Sequence, residues 1–194
     1  MRFLKTVFFA LFLMLSYNSF AQVTYTTSGT CSPTQTNYMT TASCWVRTGS
    51  CSPNPPSTPP ANGTTGCPVT IVINREVNLA SLTVGAFTTI RVNTGGKLNI
   101  SGNLTKNAST EASIFVNGGE IAVGGSMILL SGGQNSNTKL NIDIRNSGSF
   151  NVTGGLMDIE NNAQLIINGD GAASSILNVK SFNFGQRSKV DVLV

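Results

Sequence analysis

The sequence predicts an all-β fold: a single-stranded parallel β-helix (β-solenoid) of about five coils behind a disulfide-pinned N-terminal cap. Three observations predict it. Short apolar-x-apolar segments recur about every 24 residues from residue 69 onward, a period typical of stacked repeat architectures. Gly and Asn fill the positions between those segments, where a chain must turn. All four cysteines and all seven prolines lie before residue 69, so the chain has two distinct regimes.

The first element is residues 1–21. Arg2 and Lys5 precede the apolar run Val7 to Leu15, and Ser19-Phe20-Ala21 supplies small residues before Gln22. This is the layout of a cleavable secretory signal peptide. The run is too short for a membrane anchor, which needs about 20 apolar residues. No later stretch qualifies, so no membrane span is expected after signal cleavage. The expected location is secreted or at the cell surface.

Residues 22–68 form the second element, a Cys/Pro/Thr-rich cap segment. Pro55-Pro56 and Pro59-Pro60 remove backbone donors and rule out a central strand there. Cys31, Cys44, Cys51 and Cys67 are an even set in an exported chain, which points to two disulfides with three possible pairings. A zinc site is the weaker reading, because there is no Cys-x-x-Cys and no histidine. Trp45, beside Cys44, is expected to pack over the top of the solenoid.

The third element, residues 69–194, carries the repeat. First-strand anchors fall at Ile71, Ile90, Ile114, Ile142, Leu165 and Val190. Second strands follow as Val77-Asn78-Leu79, Leu98-Asn99-Ile100, Ile121-Ala122-Val123, Phe150-Asn151-Val152 and Leu177-Asn178-Val179. After a small corner comes one more apolar residue: Leu82, Leu104, Met127, Leu156 or Phe182. Alternation at period two sends every other side chain inward, onto its equivalent in the next coil. Residues 106–112 and 132–138 read as lengthened corners. An antiparallel β-sandwich also has short strands, but it does not require the same unit to recur in order.

The rhythm N-x-G-G-x-[LI]-x-[IV]-x-G-[GN]-[LM] at Asn93–Leu104, and slightly altered at Asn117–Met127, resembles the N-terminal parts of bacterial secreted and cell-surface parallel β-helix proteins. The resemblance covers roughly residues 69–194. It implies an adhesin-like, non-catalytic surface module. Many such proteins are long, and some are exported by the type IX system with a C-terminal sorting domain, which is not visible here. The strand-like end Lys189–Val194 carries no recognisable cap. The expectation is a truncated solenoid that continues in a longer chain, or a last coil that pairs with another molecule.

Composition narrows the chemistry. The chain has no histidine, which removes the commonest general base and transition-metal ligand. Its net charge of +4 falls to +2 once Arg2 and Lys5 leave, and no basic cluster exists for nucleic acid. No cofactor is expected. The column Asn78, Asn99, Asn151 and Asn178, interrupted by Ala122, reads first as a stacked amide ladder. Its functional alternative is a polar strip for glycan hydroxyls. Asn74, Asn93, Asn117 and Asn168 read as turn residues.

Asp143, Asp158 and Glu160 are the candidate acidic site, with Asp158 and Glu160 two residues apart on one strand. Asp143 is also placed in an outward column with Arg91 and Asp191. A solvated face with weak ion pairs is the favoured reading of these groups. Asn168-Gly169-Asp170-Gly171 lacks the remaining ligands of a calcium loop and reads as a turn. Phe115 and Ile166 are outward apolar residues that read as ordinary surface.

The expected function is therefore a structural or adhesin-like extracellular module, not an enzyme. The alternative is a polysaccharide-binding or polysaccharide-degrading β-helix. Expected partners are an extracellular glycan, a cell-surface protein or the remainder of a longer chain.

Overall fold

The computed structural model describes residues 21–32, 35, 38–51, 56–107, 111–131, 138–170 and 174–193. The expected signal peptide falls outside the described residues apart from Ala21, and so do the centres of the two lengthened corners, 108–110 and 132–137.

The chain opens with β1 (Val23–Thr27), two short 3-10 turns (Tyr38–Thr40 and Ala42–Cys44) and β2 (Trp45–Thr48). Coil one is β3 (Val69–Ile73), β4 (Glu76–Leu79) and β5 (Leu82–Val84). Coil two is β6 (Thr88–Asn93), β7 (Lys97–Ile100) and β8 (Leu104–Lys106). Coil three is β9 (Glu111–Asn117), β10 (Glu120–Val123) and β11 (Met127–Leu129). Coil four is β12 (Thr138–Arg145), β13 (Ser149–Val152) and β14 (Met157–Ile159). Coil five is β15 (Ala163–Gly169), β16 (Ile176–Val179) and β17 (Phe182–Phe184), and β18 (Lys189–Leu193) begins another turn.

The fold is a parallel β-solenoid. Each coil contributes one strand to each of three sheets, ordered β18-β15-β12-β9-β6-β3-β1-β2, β16-β13-β10-β7-β4 and β17-β14-β11-β8-β5. Every pairing between coils is parallel and in register. The two-strand unit read from sequence is thus a three-strand unit, because the residue after each small corner starts a short third strand. Each third strand has only three residues, too few for period two to announce it.

The interior is made of like-on-like columns. Ile71, Ile90, Ile114, Ile142 and Ile167 stack in the first sheet. Val77, Leu98, Ile121, Phe150 and Leu177 stack in the second. Leu82, Leu104, Met127, Met157 and Phe182 stack in the third. In coils one to four these residues are buried, each contributing about 1.5–3 kcal/mol of transfer free energy.

Two sequence alignments are corrected. The fifth-coil anchor is Ile167, which pairs with Ile142, while Leu165 pairs with Leu140; the last anchor moves likewise from Val190 to Val192. A shift of two residues keeps every side chain on its face, so periodicity alone does not detect it. In coil four the inward residue is Met157 rather than Leu156, because the Gly154-Gly155 corner takes one residue more. Gly154 crosses so close to the coil below that a Cβ there would collide with the Gly124 carbonyl oxygen.

The N-terminal end is closed by the cap. β1 adds parallel to β3, and β2 then pairs antiparallel with β1, ending the parallel stack. The disulfides are Cys31–Cys44 and Cys51–Cys67. Trp45 is buried as expected; its Nε1 donates to the Tyr38 carbonyl at 2.8 Å, and its ring meets Tyr38 edge-on at 5.7 Å. Burial pushes the Tyr25 and Tyr38 hydroxyls above the usual tyrosine range. At the other end, Phe182 and Phe184 of coil five and Val192 and Leu193 of β18 are exposed. Among the described residues no helix is long and apolar enough to cross a membrane.

Candidate functional site

Three outward surfaces carry chemistry, one per sheet. On the second sheet Asn78, Asn99, Ala122, Asn151 and Asn178 occupy one register column, as the sequence predicts. Asn99 Nδ2 donates to Asn78 Oδ1 at 2.8 Å and to Glu76 Oε1 at 3.0 Å, so the first rung of the amide ladder is formed. Ala122 breaks it. The break lies in a shallow cleft of about 360 Å³ bordered by Asn99, Ser101, Gly124 and Thr153. Beside it Lys97 and Glu120 make an exposed ion pair at 3.2 Å.

On the first sheet Arg91, Phe115, Asp143 and Asn168 form one column. Arg91 lies over the Phe115 ring at 5.0 Å. Asp143 is only 7 % exposed and accepts a hydrogen bond from Arg145 Nε at 2.7 Å. That bond and the Asp143 charge hold the Arg145 guanidinium above its ordinary pKa. A carboxylate this deep requires such a partner. These side chains, with Asn117 and Asn146, line a cleft of about 380 Å³. The expected column of Asp143 with Arg91 and Asp191 is half right. The two-residue register shift moves Asp191 into line with Ile166 and Asn141, where Lys189 and then Gln164 hydrogen-bond it and hold its carboxyl below the usual range. Ile166 likewise leaves the Phe115 column.

On the third sheet Asp158 and Glu160 line a cleft of about 230 Å³ with Ser131 and Asn183. Asp158 Oδ1 accepts from Asn183 Nδ2 at 2.9 Å, and Glu160 Oε2 accepts from the Ser131 backbone N–H at 2.7 Å. Asp143 sits on a different sheet, so the three candidate acids are divided two and one. Among the described residues no three His, Cys, Asp or Glu side chains gather as a metal site would require.

The turn column holds in part. Asn93 Nδ2 donates to Asn74 Oδ1 at 2.8 Å, and Asn146 Nδ2 donates to Asn117 Oδ1. Asn168 is in register with Asp143 instead, within β15. Asp170 braces a corner, accepting from the Asn146 backbone N–H at 2.7 Å and from Ser175 at 3.2 Å.

Sequence reasoning passed over Lys106. It is 1 % exposed, pointing inward in register with Val84 below and Leu129 above. Its Nζ donates to the Asn107 carbonyl at 2.7 Å, and burial lowers its pKa from 10.5 to about 8. The available signal was its place: two residues after Leu104, on the inward face. The Arg91–Phe115 contact was equally available from the shared outward column. In comparison with known proteins, no protein-family model matches the chain, and neither curated proteins nor solved structures give a significant match.

Proposed function

We propose that this chain is a non-catalytic, extracellular structural module, adhesin-like in use, secreted or held at a bacterial cell surface. The observation that carries this reading is the division of labour between interior and exterior. The interior is one continuous apolar cluster that runs through the coils, with Lys106 its buried charged exception, and such a shared core suits a rod-like scaffold. The exterior carries rungs of short polar side chains bonded to one another, such as Asn99 with Asn78 and Asn93 with Asn74. Two disulfides in the cap support an oxidising compartment, and the charged-apolar-small pattern of residues 1–21 supports export.

The test is to express the full chain with its leader in a Gram-negative host. The expected result is export, a mature N-terminus at Gln22, and a protein that turns over no polysaccharide. Retention in the cytoplasm with reduced cysteines would refute it.

A second reading has one observation in its favour. The Arg91, Phe115, Asp143 and Arg145 cleft brings two guanidiniums, a ring and a buried carboxylate together on an outer face. That supports a polysaccharide-binding or polysaccharide-degrading protein. Product release from acidic polysaccharides, lost in D143N, would select this reading.

A further inference from the structure

The interrupted amide column contains a vacancy with direction. In a ladder of stacked amides each side chain donates to the one below and accepts from the one above. Asn99 donates downward to Asn78 at 2.8 Å, and its Oδ1 accepts nothing from the described residues. In the coil above stands Ala122, in Cα register with Asn99, and above that Asn151, in register with Ala122. Asn151 makes no side-chain hydrogen bond with any described residue. Two asparagines about 10 Å apart, twice the strand spacing, thus flank a position one amide thick in the column. The floor of the gap is the Ala122 methyl, and the gap opens into the cleft of about 360 Å³.

We propose that this gap binds the acetamido group of an N-acetylated amino sugar. The ligand N–H donates to Asn99 Oδ1, its carbonyl accepts from Asn151 Nδ2, and its methyl rests on Ala122. The sugar ring then lies in the cleft, where the hydroxyl oxygens of Ser101 and Thr153 are within the lining. Those hydroxyls donate to the carbonyls of Leu79 and Val123 at 3.4 Å, which leaves their oxygens free to accept from sugar hydroxyls. A peptide fits less well. The site lies in mid-sheet, where β7, β10 and β13 use their backbone groups on each other, so an added strand has nothing to pair with. This inference stands on the outer face alone and does not depend on the scaffold reading.

The experiment is a 15N NMR titration of the purified protein with N,N′-diacetylchitobiose, cellobiose and N-acetyl-asparaginamide. Diacetylchitobiose is expected to shift the resonances of Asn99, Ala122 and Asn151, and cellobiose, which lacks the acetamido group, is not. Filling the gap with A122N is expected to weaken binding by at least about tenfold, and N151A, which removes one hydrogen bond, by about three- to tenfold. The same spectra report whether each variant is folded. Equal shifts with cellobiose, undiminished binding by A122N, no response to diacetylchitobiose, or equal binding of the asparaginamide would each overturn the proposal. None of those results touches export or the scaffold reading.

Discussion

Lys106 offers the sharpest test of the fold's energetics. Its side chain occupies a core column otherwise filled by Val84, Leu129 and Ile159. Burial moves its pKa from 10.5 to about 8, which corresponds to an upper bound of about 3 kcal/mol of penalty on the charged form. The sign follows from linkage. Between pH 8 and 10.5 the unfolded chain holds more protons than the folded one, so stability rises with pH across that window. Below pH 8 the penalty is present in full.

Replacing the ammonium with a thioether of similar length in K106M removes it, and the Asn107 carbonyl turns to water because Asn107 is exposed. Urea denaturation of both proteins at pH 7, 8, 9 and 9.5 reads the effect. Stopping there avoids titration of Tyr25 and Tyr38, which resist ionisation when folded and so reduce stability at higher pH. No free cysteine is present to scramble disulfides at alkaline pH. K106M is expected to be more stable at pH 7 by about 1–3 kcal/mol, with the gap narrowing toward pH 9.5. A pH-independent difference between the two proteins, or a destabilised K106M, would refute the reasoning.

The remaining predictions separate layers and corners of the solenoid. Phe150→Ala in the buried fourth layer should cost about 3–5 kcal/mol in chemical denaturation, whereas Phe184→Ala in the exposed fifth should cost under about 1 kcal/mol; similar values would deny that the layers differ in packing. Removing the Cys31–Cys44 bridge in the double alanine variant should lower stability by about 3 kcal/mol in thermal unfolding, and reductant should then have less left to remove. Gly154→Ala should destabilise by about 1–3 kcal/mol, because its Cβ collides with the backbone of the coil beneath. Gly66→Ala meets nothing within 4 Å and serves as the matched control; equal melting temperatures for the two would contradict the corner packing.

Much of the candidate site was legible in advance because parity is strict in a strand. Asn78, Asn99, Asn151 and Asn178 could be placed on one outward column, with Ala122 as its gap, from alternation alone. Asp143 and Arg145, two residues apart in the sequence, share a face by the same parity. What alternation does not carry is register: it distinguishes inside from outside, but every shift by two looks the same. Hence alternation alone sets Asp191 beside Asp143 and Leu165 beside Ile142, two residues out of the true register.

The amino-acid order by itself determined the class of the fold, the inward faces of its first two sheets and the four bridging cysteines. Those follow from local quantities: period, turn chemistry and the absence of proline after residue 68. The tertiary structure alone decided which cysteines pair, which residue stacks on which, and that Lys106 ends in the core. These are decided by backbone hydrogen bonds between coils about 24 residues apart, and by corners of unequal length that set how far each coil advances before it meets the last.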